Sequence, residues 1–239
     1  MKAIILAGGK GTRLKPYTMV LPKPLIPVYD VPIIEIIICK LIVSGISEII
    51  VSCGYLHHLI QTYLDDGKRF GIPIRYVIEE TPLGTAGSIS LVKNLSDHFI
   101  VINGDTLCDI DFDEMLKNHP DNNNDVTIGT YRMKYQIDLG VLNFDSEMRL
   151  EGYVEKPTDE YLISMGVYIF SSKVLKSMNH AEKIDLPDFI LKLLKNGYRI
   201  AGYEHKGIWL DMGRPSDFVK IQEDEELHNR LKPLLGKYE

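Results

Sequence analysis

The chain opens on an unbroken apolar run, Ala3 to Ala7, that stops at Gly8-Gly9. A short continuous apolar stretch ended by glycine predicts a strand buried on both faces. Pro32 precedes a second apolar block, Ile33 to Ser44, closed by Gly45, and this pattern predicts a mostly buried helix. Strands are then expected over Glu48–Ser52, Ile74–Ile78 and Phe99–Ile102, with helices over His57–Leu64 and Ser88–Leu95 between them. Strand and helix in strict alternation predict repeated right-handed βαβ units, and so an α/β fold with a mainly parallel sheet. Loops that follow the strands of such a sheet collect along one edge, where ligands bind. The glycine-rich segment Gly8–Arg13, the turn Thr81–Gly87 and the triplet Asn103–Asp105 each follow a predicted strand.

The second half alternates less regularly. Strands are expected over Val126–Tyr131, Gly140–Phe144, Gly166–Phe170, Ile200–His205 and Gly207–Leu210, with Val141–Phe144 and Leu150–Val154 pairing antiparallel. Leu186–Asn196 reads as a helix with Asp185 as N-cap and Gly197 as its stop. Asp121–Asp125 reads as a flexible turn. From Pro215 the chain is helical and charged. No repeat or linker divides it. The expectation is one domain over 1–239, with a first half at 1–120, a second at 121–220 and a charged C-terminal helix at 221–239.

Composition narrows the function classes modestly. A net charge of −6 argues against a nucleic-acid partner, because phosphate-backbone binders carry a basic excess. The 3 cysteines, Cys39, Cys53 and Cys108, show neither metal nor redox spacing and read as reduced thiols. Val31–Val43 contains Glu35 and Lys40 and is too short to cross a bilayer. A soluble, cytoplasmic protein with no membrane partner is expected.

The segment Gly8-Gly9-Lys10-Gly11-Thr12-Arg13 carries the first candidate chemistry. Its glycines let backbone N–H groups approach an anion, Arg13 offers a forked donor set, and Lys23 supplies a mobile charge. Neither the Walker nor the dinucleotide fingerprint fits this spacing. However, Leu6-Ala-Gly-Gly-x-Gly-Thr-Arg13, Pro16 and Pro22-Lys23-Pro24 resemble the signature of the nucleoside-diphosphate-sugar pyrophosphorylases, the sugar-1-phosphate nucleotidylyltransferases. Glu80–Gly87, Asn103-Gly-Asp105, Glu155-Lys-Pro157 and Trp209-Leu-Asp-Met-Gly213 follow in the family's order. The resemblance covers nearly the whole chain and implies a Rossmann-like three-layer fold with a mixed, mainly parallel sheet.

It also implies a reaction and a site. A nucleoside triphosphate and a sugar-1-phosphate would give a nucleotide sugar and pyrophosphate, with Mg²⁺ held by Asp105 and Asp211. Catalysis would rest on Arg13, Lys23 and Asp105. The nucleotide would be bound by Leu6, Ala7, Gly8, Gly9, Gly11, Thr12, Arg13, Lys23, Glu80, Pro82, Gly84, Thr85 and Asp105. Asn103, Gly140, Glu155, Lys156, Ser164 and Gly166 would take the sugar phosphate. Ser164 departs from the family, which has a longer Asn two residues before the glycine, so the sugar is open. The motifs look most like guanylyltransferases for mannose-1-phosphate and related heptose-1-phosphates, with CTP, UTP or dTTP as alternatives. Relatives are often dimers or tetramers. Two other classes remain: a glycosyltransferase using the Asp109-x-Asp111 pair, and a nucleotide-sugar sensor. Against the first, Asp109, Asp111 and Asp113 suit a helix start, where negative charge is favoured.

Overall fold

The computed structural model describes residues 1–227 and 229. Among the described residues there are thirteen strands: β1 (Lys2–Ala7), β2 (Pro27–Val28), β3 (Val31–Pro32), β4 (Glu48–Cys53), β5 (Ile74–Ile78), β6 (His98–Asn103), β7 (Thr106–Cys108), β8 (Val126–Gln136), β9 (Gly140–Phe144), β10 (Leu150–Glu155), β11 (Thr158–Ser171), β12 (Ile200–His205) and β13 (Trp209–Asp211). The helices are α1 (Ile33–Val43), α2 (His57–Leu64), α3 (Gly84–Gly87), α4 (Phe112–Asp121), α5 (Leu186–Lys195) and α6 (Pro215–Glu223).

Seven strands form one sheet in the order β12-β8-β11-β6-β1-β4-β5, in which only β11 runs against its neighbours. The near-continuous apolar runs follow from burial on both faces. Ala3, Ile5, Ile49, Val51, Ile100 and Ile102 enter one core with α1, α2 and α4. The alternate residues Ile4, Ile50, Phe99, Val101 and Phe170 enter the other, under α5. Three layers result.

From β1 the chain steps outward to β4 and β5, then crosses back to place β6 on the other side of β1. A crevice opens at such a reversal, beyond the carboxyl ends of the strands. The turn after β1, the turn after β5 and the turn after β6 all emerge there, as expected.

Three expectations fail locally. Ser88–Leu95 is not one helix: α3 runs into a 3-10 turn that ends at Leu91, and Val92 is extended. Ser90 Oγ donates to the Gly87 carbonyl, 2.7 Å, and also accepts from Ala181 N, 2.9 Å. Such side-chain bonds compete with helix continuation. Asp185 stands at the N-cap of α5, but its side chain does not cap that helix. Asp121–Asp125 is a turn whose end is buried, not a loose one: Asp125 pairs with Lys173 and accepts from Arg199 N at 2.7 Å. The expected charged helix over 221–239 coincides with the end of α6 and otherwise falls largely outside the described residues.

The same region holds a buried polar cluster with a consequence for stability. His119 is fully buried, with Nδ1 2.8 Å from Thr127 Oγ1 and its ring 5.0 Å from that of His98. Burial, aided by His98, pushes the His119 imidazole from 6.5 down to about 4. The folded protein therefore keeps His119 neutral, and the unfolded chain takes up the extra proton below pH 6.5. That stabilisation is complete above the unfolded value and shrinks as pH falls toward the folded one. Between pH 7 and 5 unfolding free energy is expected to drop by about 2 kcal/mol from this group. Denaturant melts of wild type and His119→Gln check it, since the variant should lose that slope.

Candidate active site

A cleft of about 460 Å³ lies at the crevice, within the range of small-molecule sites. It is lined by Leu6, Ala7, Gly8, Gly9, Gly11, Thr12 and Arg13 from the end of β1, by Lys23, by Pro82, Gly84 and Thr85, and by Asn103 and Asp105. Pro24, Ser52, Glu79, Ser88, Gly104 and Asp185 complete the wall. The residues expected to bind the nucleotide thus converge, with one exception. Glu80 is exposed and outside the lining, whereas its neighbour Glu79 lines the cleft. Glu79 Oε1 accepts from Ser52 Oγ (3.3 Å) and Oε2 from Leu83 N (3.0 Å). A Cβ on Gly8 would come within 2.6 Å of that carboxylate.

The glycine-rich turn is pinned from below. Gly11 is left-handed at φ 59, Thr18 Oγ1 donates to its carbonyl at 2.8 Å, and Leu14 is buried. Arg13, between these anchors, remains exposed.

Two aspartates far apart in sequence meet through a short ladder. β7 and β13 pair antiparallel with Asp211 opposite Thr106, next to Asp105, and Met212 N donates to the Asp105 carbonyl at 3.0 Å. Both carboxylates reach Lys23. Its buried ammonium forms an ion pair with Asp105 Oδ2 and lies 3.7 Å from Asp211 Oδ1. Gly213 presses against this group: a Cβ there would fall 2.0 Å from Lys23 Nζ, 2.9 Å from Asp211 Oδ1 and 3.0 Å from Arg13 Nη2. The Trp209–Gly213 motif therefore holds a close-approach glycine as well as a carboxylate.

The sugar-phosphate residues are only partly gathered. Asn103 lines the cleft, and Gly166 (φ 74) backs it, since a Cβ at 166 would sit 2.3 Å from Asn103 Nδ2. A register shift in β11 after Ser164 turns the Met165 carbonyl toward Thr106 Oγ1 and Trp209 Nε1, each donating at 3.1 Å. The bulge thus ties this strand to the aspartate ladder. Ser164 Oγ is engaged by Tyr168 OH at 2.9 Å. Gly140, Glu155 and Lys156 stand on and beside the β9–β10 hairpin, outside the cleft lining. There Lys156 pairs with Asp138 at 2.8 Å and Glu155 accepts from Tyr153 OH at 2.9 Å.

Asp109 and Asp111 are occupied structurally. Asp109 Oδ1 accepts from Ile208 N at 2.6 Å and lies 2.9 Å from His205 Nε2, which with Ile208 N holds its carboxyl below the usual range. Asp111 caps α4 by accepting from Glu114 N, 2.9 Å. Asp111, with Asp113 in the first turn, starts α4 as expected, whereas Asp109 instead holds the segment between β12 and β13.

The chain belongs to the Nucleotidyl transferase family, which it matches over residues 2–227. It is 34% identical over 230 residues to a mannose-1-phosphate guanylyltransferase of Mycobacterium tuberculosis, a match covering 93% of this chain and 64% of that protein. A UTP–glucose-1-phosphate uridylyltransferase of Synechocystis is 32% identical, covering 91% of this chain and 61% of the relative. The chain therefore spans somewhat under two thirds of the length of these relatives. Among solved structures, HddC from Yersinia pseudotuberculosis in complex with GMP-PN superposes with a TM-score of 0.71 at 27% identity, covering 94% of this chain and 99% of that one. Among the described residues no helix is long and apolar enough to cross a membrane.

Proposed function

We propose that this chain is a sugar-1-phosphate nucleotidylyltransferase that joins GTP to a manno-configured hexose- or heptose-1-phosphate and releases pyrophosphate. The observation that carries the reading is the meeting of the glycine-rich turn, Arg13, Lys23 and the Asp105–Asp211 pair at one cleft. A guanine base is supported by the guanylyltransferase relative and by the GMP-PN held by the structural neighbour. The uridylyltransferase relative shares the frame, so UTP is the first competitor.

The donor set suits a hard divalent cation. Asp105 and Asp211 already share one cation, the Lys23 ammonium, and offer only oxygen ligands. Mg²⁺ takes few protein carboxylates and completes its shell with substrate phosphate and water. When bound, Mg²⁺ would neutralise charge on the triphosphate, and Asp105 with Asp211 would hold it.

An oxygen of the sugar phosphate attacks the α-phosphorus, and the bond from that phosphorus to the pyrophosphate oxygen breaks in line. A phosphate monoester dianion is already nucleophilic, so no general base is required. What remains is to bring polyanions together and stabilise the charge at the transition state. Backbone N–H groups of Gly8–Gly11 and the Arg13 fork take the β- and γ-phosphates, Lys23 the α-phosphate, and Gly84 flanks the base. Lys156 would take the sugar phosphate and Glu155 the ring hydroxyls. The motif resemblance supports these last two, and they must come toward the cleft for catalysis. Residues 1–239 are read as one nucleotidyltransferase domain, with 1–120 its nucleotide-binding half and 121–220 its sugar-phosphate half, acting in the cytoplasm as a homo-oligomer.

Pyrophosphate release with Mg²⁺, measured for ATP, GTP, CTP, UTP and dTTP against a panel of sugar-1-phosphates, tests the reading. The strongest signal is expected with GTP and a manno-configured acceptor. Silence in every pair, from protein that binds nucleotide, would overturn it.

A further inference from the structure

The turn after β5 is latched to the start of α5 by an exchange of hydrogen bonds across a hundred residues of chain. Asp185 Oδ1 accepts from Thr85 N at 2.9 Å and from Thr85 Oγ1 at 3.3 Å. Thr85 Oγ1 in turn accepts from Leu186 N at 2.8 Å, the capping bond that Asp185 does not make for its own helix. Backbone bonds close the same seam: Ile184 N donates to the Leu83 carbonyl at 2.8 Å, and Ala86 N and Gly87 N donate to that of Ile184 at 3.1 and 3.0 Å. The approach is as tight as a backbone allows. A Cβ on Gly84, whose φ is 79, would meet Ile184 O at 2.6 Å and Asp185 Oδ1 at 2.8 Å.

Both Thr85 and Asp185 line the cleft. Thr85 lies on the turn after β5 and Asp185 just before α5, so the latch forms the wall of the cleft that Pro82, Gly84 and Thr85 share, where the proposed function places the base beside Gly84. We propose that Asp185 is a positioning residue for nucleobase binding: it fixes the height of the Gly84–Thr85 turn against which the base of the nucleotide packs. This rests on the reading of the cleft as a nucleotide site. The side chain acts as a hydrogen-bond acceptor through Oδ1, and its charge is secondary. Asn retains that oxygen and Ala does not.

Isothermal titration of GTP, UTP and inorganic tripolyphosphate into the full chain separates base from phosphate binding. Asp185→Ala removes an acceptor of two hydrogen bonds and is expected to weaken the tighter-binding nucleotide about tenfold. Tripolyphosphate affinity should stay at the wild-type level and Asp185→Asn should bind nucleotide like wild type. In steady state, KM for the nucleotide should rise while kcat holds. Thr85→Val, which breaks the exchange from the other side, should reproduce the loss and keeps the test open if Asp185→Ala does not fold. Unchanged nucleotide affinity in both variants would overturn the proposal. So would equal losses for nucleotide and tripolyphosphate, or an Asn variant as weak as the Ala variant. A wild type that binds no nucleotide at all would sink the nucleotide reading together with the latch's role.

Discussion

Arg13→Ala is expected to lower kcat by about 10²–10³-fold, the loss found when one charge-stabilising donor leaves a preorganised site. The fold should barely notice. Arg13 is exposed and makes no ion pair among the described residues, while the turn that carries it is held by Leu14 and by Thr18. Removing its guanidinium thus deletes the proposed ligand for the β- and γ-phosphates without leaving a buried partner unpaired. Arg13→Lys should recover only part of the rate, because a point charge cannot make paired bonds to two nonbridging oxygens. Pyrophosphate release measured beside a thermal melt checks both halves. A near-wild-type rate would remove Arg13 from the catalytic set, and a large fall in melting temperature would make its role structural.

The sheet was legible because its strands are buried on both faces. The stretches Ala3–Ala7, Ile49–Val51 and Phe99–Ile102 are apolar at every position, as a covered, mainly parallel sheet requires. Once those strands are parallel, the turns after β1, β5 and β6 must share an edge, so this side of the cleft followed from local pattern. Finer placement did not. Glu79 and Glu80 are adjacent, and which of them enters the cleft depends on the phase in which β5 ends. Glu79 stands two residues beyond Val77, and a shift of one would have exchanged the pair. Asp185 carries the composition of an N-cap, but the turn it serves lies a hundred residues away, and no local signal reports such a contact. Gly213 was visible in its motif, yet only tertiary packing shows that it admits Lys23, Asp211 and Arg13 to one point. The sugar side was the least legible. Apart from Asn103 at the end of β6, the residues expected to take the sugar phosphate sit on the bulged strand β11 and on or beside the β9–β10 hairpin, and the register shift after Ser164 redirects β11 alone.

Asp105→Asn and Asp211→Asn carry the other large effect, and their combination is more informative than either alone. The ladder between β7 and β13 brings the two carboxylates to one cation, so each is expected to serve a single shared function. Either substitution removes one anionic oxygen ligand, and a fall in kcat of about 10²–10³-fold is expected, similar to the loss of other charge-stabilising groups. Half-saturating Mg²⁺ should rise in both single variants, and excess Mg²⁺ should restore part of the rate. If the pair acts as a unit, the double variant should be little slower than the worse single one, because groups that work together are not additive. Independent roles, such as one carboxylate on the cation and the other only restraining Lys23, would instead multiply the losses. A metal titration of kcat for wild type, both single variants and the double decides between these outcomes. A multiplicative result would confine the cation to one aspartate and leave the other to orient Lys23, whose ammonium both now contact.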